Sequence, residues 1–126
     1  MNNLIKEAIR VRENAYAHYS HFRVGAAVLT HDGNIFTGCN IENSSYSLSI
    51  CAERVALFNA VSSGHKRFMK IAVVTDIEPP ASPCGACRQV ILEFGDDIEI
   101  IMANLKGDVR IKRIDELLQD GFKLKI

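Results

Sequence analysis

Lys70-Ile71-Ala72-Val73-Val74-Thr75 is the stretch on which the fold turns. Its centre, Ile71 to Val74, is short, rich in β-branched residues and apolar at every position. A strand with one wet face alternates apolar and polar residues, whereas an unbroken apolar run needs cover on both faces. Helices are therefore expected on both sides of it. Upstream, Val55, Ala56, Leu57, Phe58, Ala60 and Val61 predict a buried helix over residues 51–63, stopped by Gly64. Downstream, Glu78-Pro79-Pro80-Ala81-Ser82-Pro83 has to be a loop, and another helix is expected over 84–94, ended by Gly95. Further out, Val24–Thr30 and Asn34–Asn40 read as a hairpin about His31-Asp32-Gly33, since Asp-Gly is a strong turn signal. Polar residues 41–50 read as a loop. Leu4, Ile5, Ala8, Ile9, Ala15, Tyr16 and Tyr19 recur at helical spacing and predict a first helix over 3–20. Ile98–Met102 and Val109–Ile114 read as strands, and Asp115-Glu116-Leu117-Leu118 as a short last helix. The turn Lys106-Gly107-Asp108 is too short for a parallel return, which takes about a dozen residues, so the last two strands should pair antiparallel. The expectation is a single α/β domain over residues 1–126. It has three layers, α/β/α, around one mixed five-stranded sheet.

Composition narrows the function. At 126 residues and 48% hydrophobic content, the chain can bury a real core. Its formal net charge is zero, whereas a domain that grips a nucleic-acid backbone is normally basic. His65-Lys66-Arg67 and Arg110, Lys112 and Arg113 are scattered charges that read as solvated faces. No nucleic-acid polymer and no membrane is expected as a partner. The start, Met1-Asn2-Asn3-Leu4-Ile5-Lys6-Glu7, lacks the apolar run of a signal peptide, so a cytoplasmic setting is expected. Thiols stay reduced there, and the cysteines read as metal ligands or core residues before disulfides.

Three of the four cysteines stand at predicted helix starts: Cys51 in Cys51-Ala52-Glu53, and Cys84 and Cys87 in Pro83-Cys84-Gly85-Ala86-Cys87. Residues three apart on a helix face the same way, and a helix N-terminus favours thiolates. Two such ends meeting at one point would give three ligands and an open position, the pattern of catalytic zinc. Glu53, two residues from Cys51, points roughly 200° away on a regular helix and so reads as a proton carrier beside the metal, not a ligand. Three thiolates leave Zn²⁺ with a net charge of −1, which weakens its hold on a water proton. Arg54 and Arg88 are the expected donors to the sulfurs that offset this. Other readings of the thiols stay open: a redox pair at Cys84 and Cys87, a closed structural zinc site completed by Cys39, or disulfides.

Beyond the thiols, Tyr19-Ser20-His21-Phe22-Arg23-Val24-Gly25-Ala26-Ala27, Gly38-Cys39-Asn40-Ile41-Glu42-Asn43, Ile50-Cys51-Ala52-Glu53-Arg54 and Ser82-Pro83-Cys84-Gly85-Ala86-Cys87-Arg88-Gln89 closely resemble cytidine deaminases of the small homotetrameric kind. The zinc deaminase signature pairs a His or Cys ligand two residues before Glu with a later P-C-x-x-C. The resemblance implies one Zn²⁺ per subunit on Cys51, Cys84 and Cys87, and deamination of cytidine and deoxycytidine with Glu53 moving protons. It implies that Asn40 and Glu42 bind the ribose 3′-hydroxyl, the alternative being that they stabilise a turn. Phe22 would pack on the pyrimidine, the alternative being a place in the core. Backbone groups of Ala52 and Ser82 would read the base, and Phe122 would reach a neighbouring subunit's site. The family often has a proline shortly before that phenylalanine, and this chain has Gln119 there. Two competing functions remain at this level: a blasticidin-like nucleoside deaminase, and a zinc-stabilised scaffold without chemistry.

Overall fold

The computed structural model describes residues 2–125. Five strands form one sheet in the order β2-β1-β3-β4-β5. They are β1 (Gly25–Thr30), β2 (Ile35–Cys39), β3 (Phe68–Thr75), β4 (Glu99–Asn104) and β5 (Val109–Arg113). β1 pairs antiparallel with β2 and β3, β3 parallel with β4, and β4 antiparallel with β5. The sheet is therefore mixed, as expected, and the short turn after β4 does return an antiparallel neighbour.

β3 is the covered strand that its apolar run predicts. Ile71 and Val73 join one core cluster, with Ala56, Leu57, Ala60 and Ile91 from helices α2 (Ala52–Ser62) and α3 (Gly85–Leu92). Ala72 and Val74 join the other, with Leu4 and Ala8 of α1 (Asn2–Arg12). Successive side chains point to opposite faces, so one uninterrupted apolar run feeds two cores and makes three layers. The short helix α4 (Ile114–Leu117) sits beside β5 and seats Ile114 on the α2–α3 side. Gly33, at φ 90°, turns β1 into β2 in a conformation that costs glycine little.

α1 ends at Arg12, well short of the expected residue 20. Helical periodicity continues through Tyr16 and Tyr19, but both are exposed. The backbone there has a better partner across the fold. Tyr16 N–H donates to Asn40 O (2.9 Å), and Glu42 N–H donates to Tyr16 O (2.8 Å). Buried Arg12 fixes the exit, donating to Arg23 O (3.0 Å) and pairing with Asp76 (3.4 Å). Pairing with residues 40–42 thus overrides a local pattern.

Candidate metal centre and active site

Both predicted helix starts lie at one end of the sheet. Cys51 is the N-cap of α2 and Cys84 the N-cap of α3, each with extended backbone. Cys87 sits in the first turn of α3, and its N–H donates to Cys84 Sγ (3.5 Å). The three sulfurs all lie within 4.8 Å of one another, and Cys51 Sγ is 3.8 Å from Cys84 Sγ. Around a tetrahedral zinc with Zn–S about 2.3 Å, neighbouring sulfurs stand about 3.8 Å apart. The donor set and its spacing fit zinc. Cys39 is buried on β2 and is not part of this trio, so the closed four-cysteine site lacks its fourth ligand among the described residues.

The electrostatics match the geometry. The Cys51 thiol is lowered to about 5, first by hydrogen bonding with Cys87 and then by Arg54 and Cys84. Cys87 is pushed upward, chiefly by sharing its proton with Cys51 and by burial. Metal binding would release the protons that these sulfurs share. Arg54 Nη2 donates to Cys51 Sγ at 3.3 Å. Arg88 is placed differently. Its guanidinium donates to Pro83 O (2.8 Å), Leu117 O (2.7 Å) and Ser82 Oγ (2.9 Å). It pins the loop ahead of Cys84 to the end of α4, and no hydrogen bond to a sulfur is found for it among the described residues.

Glu53 is 5% exposed and lies in the first turn of α2. Burial pushes its carboxyl up to about 7, and the negative charge on Cys51 adds to the rise. A carboxyl poised near neutrality can both accept and return a proton.

Cys51, Glu53 and Cys84 line a cavity of about 410 Å³, together with Phe22, Asn40, Glu42, Ala52 and Ser82. Phe22 is 37% exposed there, so it is a wall residue and not core. Asn40 Oδ1 accepts from Val24 N–H (2.9 Å), and its Nδ2 donates to Phe22 O (2.7 Å). Glu42 Oε1 accepts from the N–H groups of Tyr19 (2.9 Å) and Ser20 (3.0 Å), and the Ser20 hydroxyl donates to Oε2. The two side chains therefore clamp the loop that carries Phe22. Phe122 is 67% exposed and lines a separate groove with Leu92, Phe94 and Gly95, outside this cavity. Residues that sequence reasoning passed over also line the cavity: Tyr46, Ser49, Ile50, Val73 and Thr75. Only the last has an odd signal, a polar residue closing an apolar strand.

The pattern described as "Cytidine and deoxycytidylate deaminase zinc-binding region" matches residues 1–103. The cytidine deaminase of Sporosarcina psychrophila is 52% identical over 123 residues, covering 97% of this chain and 90% of that one. The crystal structure of cytidine deaminase from Burkholderia pseudomallei superposes with a TM-score of 0.93 at 50% identity, covering 96% and 98% of the two chains. Blasticidin-S deaminase of Bacillus cereus is a more distant relative, 32% identical over 75% of this chain and 73% of its own.

Proposed function

The chain belongs to the cytidine and deoxycytidylate deaminase family, and from that premise we propose that it hydrolyses cytidine and deoxycytidine to uridine and deoxyuridine, releasing ammonia. The observation that carries the reading is a buried carboxyl and two thiols, Cys51 and Cys84, sharing the wall of one cavity, with the third thiol, Cys87, within 4.8 Å of both. Cys51, Cys84 and Cys87 would hold zinc, which when bound would supply the Lewis acidity that acidifies a water near neutral pH. Glu53 carries one proton of the attacking water to ring N3 and then the second, from the hydroxyl newly bonded to C4, to the leaving amine, so both water protons are used. Its pKa of about 7 suits both directions. Arg54 balances charge on Cys51, and Arg88 holds the Ser82–Pro83 loop in place. Backbone groups of Ala52 and Ser82 read the base, and Phe22 packs on its face.

Asn40 and Glu42 retain capacity for the sugar after clamping the loop. An ionised carboxylate has about four acceptor sites and Glu42 uses three; a primary amide has two N–H groups and Asn40 uses one. One acceptor and one donor remain, which suits a single hydroxyl that donates to Glu42 and accepts from Asn40. The exposed apolar side chains of Tyr46, Leu48, Phe58, Phe122 and Leu124 support self-association, and a homotetramer with shared active sites goes with this reading. A cytoplasmic setting, where thiols stay reduced, goes with it too.

Purified, zinc-loaded protein incubated with cytidine should yield uridine and ammonia. Glu53→Gln should lose about 100-fold or more in turnover while keeping its zinc. A zinc-loaded wild type that leaves cytidine and deoxycytidine unchanged would refute the proposal.

A further inference from the structure

Thr75 closes β3, is 1% exposed, and its Oγ1 has no hydrogen-bond partner among the described residues. Ordinary buried hydroxyls find one, because a buried polar group without a partner has lost water and gained nothing. Side chains alternate along a strand. Ile71 and Val73 face α2 and α3, so Thr75 faces the same way, and it lines the cavity with Val73. A wall that is otherwise apolar at this strand thus ends in one unpaired hydroxyl.

Register locates that hydroxyl along the cavity. Gly25 pairs with Cys39 on one side and with Val74 on the other. One step toward the cavity, Asn40 just past β2 and Val24 just before β1, joined by Asn40 N–H to Val24 O (3.2 Å), extend that row toward Thr75 of β3. Neighbouring strands stand about 4.8 Å apart, so Thr75 lies roughly 10 Å across the sheet from Asn40. Asn40 and Glu42 are at the sugar end by the reading above. Thr75 is at the other end, on the strand from which the chain runs through Ser82 to Cys84.

We propose that the Thr75 hydroxyl is a specificity-determining contact to the polar edge of the pyrimidine ring, made directly or through one fixed water. The inference rests on the nucleoside reading of the cavity and adds a side-chain contact to a base otherwise read by backbone groups. A contact made equally in ground and transition states shows in KM and not in kcat.

Thr75→Val keeps the shape and removes the hydroxyl; Thr75→Ser keeps the hydroxyl. Both are compared with wild type as zinc-loaded proteins, by KM and kcat for cytidine and deoxycytidine and by the thermal shift that uridine produces. Thr75→Val should raise KM about 10-fold for both substrates, the worth of one hydrogen bond, with kcat changed less than about 3-fold. The uridine shift should shrink in parallel, while the ligand-free melting temperature stays at or above that of wild type. Thr75→Ser should return KM to within about 3-fold of wild type. Unchanged KM and an unchanged uridine shift in Thr75→Val would overturn the proposal. So would a KM penalty confined to cytidine, which would put the contact on the 2′-hydroxyl. A wild type inactive on both nucleosides would overturn the deaminase reading first, and this contact with it.

Discussion

Replacing Gly38 with alanine should cost the protein its zinc, although residue 38 is not a ligand. Gly38 lies on β2 where α2 crosses it, and a Cβ built there would stand 2.3 Å from Ala56 N and 2.8 Å from both Ala52 O and Val55 C. All three atoms are helix backbone, so no side-chain rotation relieves the clash. Ordinary contact begins near 3.4 Å, so α2 has to retreat by about 1 Å. That helix carries Cys51 at its N-cap and Glu53 in its first turn. Metal–ligand distances tolerate only about 0.2 Å, and Cys51 would be drawn away from its 3.8 Å spacing to Cys84. Overpacking typically costs about 1–3 kcal/mol, and a backbone clash belongs at the upper end. For a domain of this size that is roughly a 10 °C fall in melting temperature.

Gly85 is the control. It stands between two of the ligands in sequence, yet a Cβ there meets nothing within 4 Å. Gly85→Ala should keep zinc and melt at or slightly above the wild-type temperature, because alanine is the better helix former. Thermal unfolding and zinc content after gel filtration are the assays. Gly38→Ala with full zinc and an unchanged melting temperature would refute the argument, as would a Gly85→Ala protein more damaged than Gly38→Ala.

Arg54→Gln removes the donor 3.3 Å from Cys51 Sγ and should cost about 10–100-fold in zinc affinity or turnover; chelator competition and steady-state rates unchanged from wild type would refute the role. Cys39→Ala should retain zinc, whereas a four-cysteine scaffold would lose it on metal analysis. Glu42 is held below the usual carboxylate range, first by the Ser20 hydroxyl and then by the N–H groups of Ser20 and Tyr19. A lowered carboxyl stabilises above its ordinary pKa, and the effect is lost as pH falls through the folded value. Glu42→Gln should therefore melt lower than wild type at pH 7, and the gap should close in acid; a gap constant with pH would count against this. Phe122→Ala should raise KM with the oligomer intact on gel filtration if the side chain enters a neighbouring site, and an unchanged KM would exclude that.

The parts of the site legible in the sequence are those set by local geometry. Helix starts at Cys51 and Cys84 follow from spacing, flanking proline and the loops before them. The antiparallel return of β5 follows from the length of one turn. What failed depended on partners distant in sequence. Nothing in Tyr16 and Tyr19 announces that residues 40–42 will take their backbone groups and end α1 early. Arg88 sits beside Cys87 in sequence, yet its donors find carbonyls at 83 and 117. Nothing in the sequence around Gly38 shows that helix backbone will pack against it, and only the packed structure shows why no side chain fits there.

Asn40 joins the fold to the chemistry in a way that bears on how its variants are read. The same amide that faces the cavity holds Phe22 O and Val24 N. Its loss would free the loop bearing Phe22 as well as remove the proposed sugar contact, so a raised KM alone would report on both. Glu42 has the same double duty through Tyr19 and Ser20. The resemblance-based role and the plain structural role are therefore not rivals at these positions. A binding group fixed by the loop that it fixes is pre-organised: its rotamer is set before substrate arrives, so little ordering cost falls on binding. That is the physical advantage the proposed sugar site would draw from residues that also stitch the chain together.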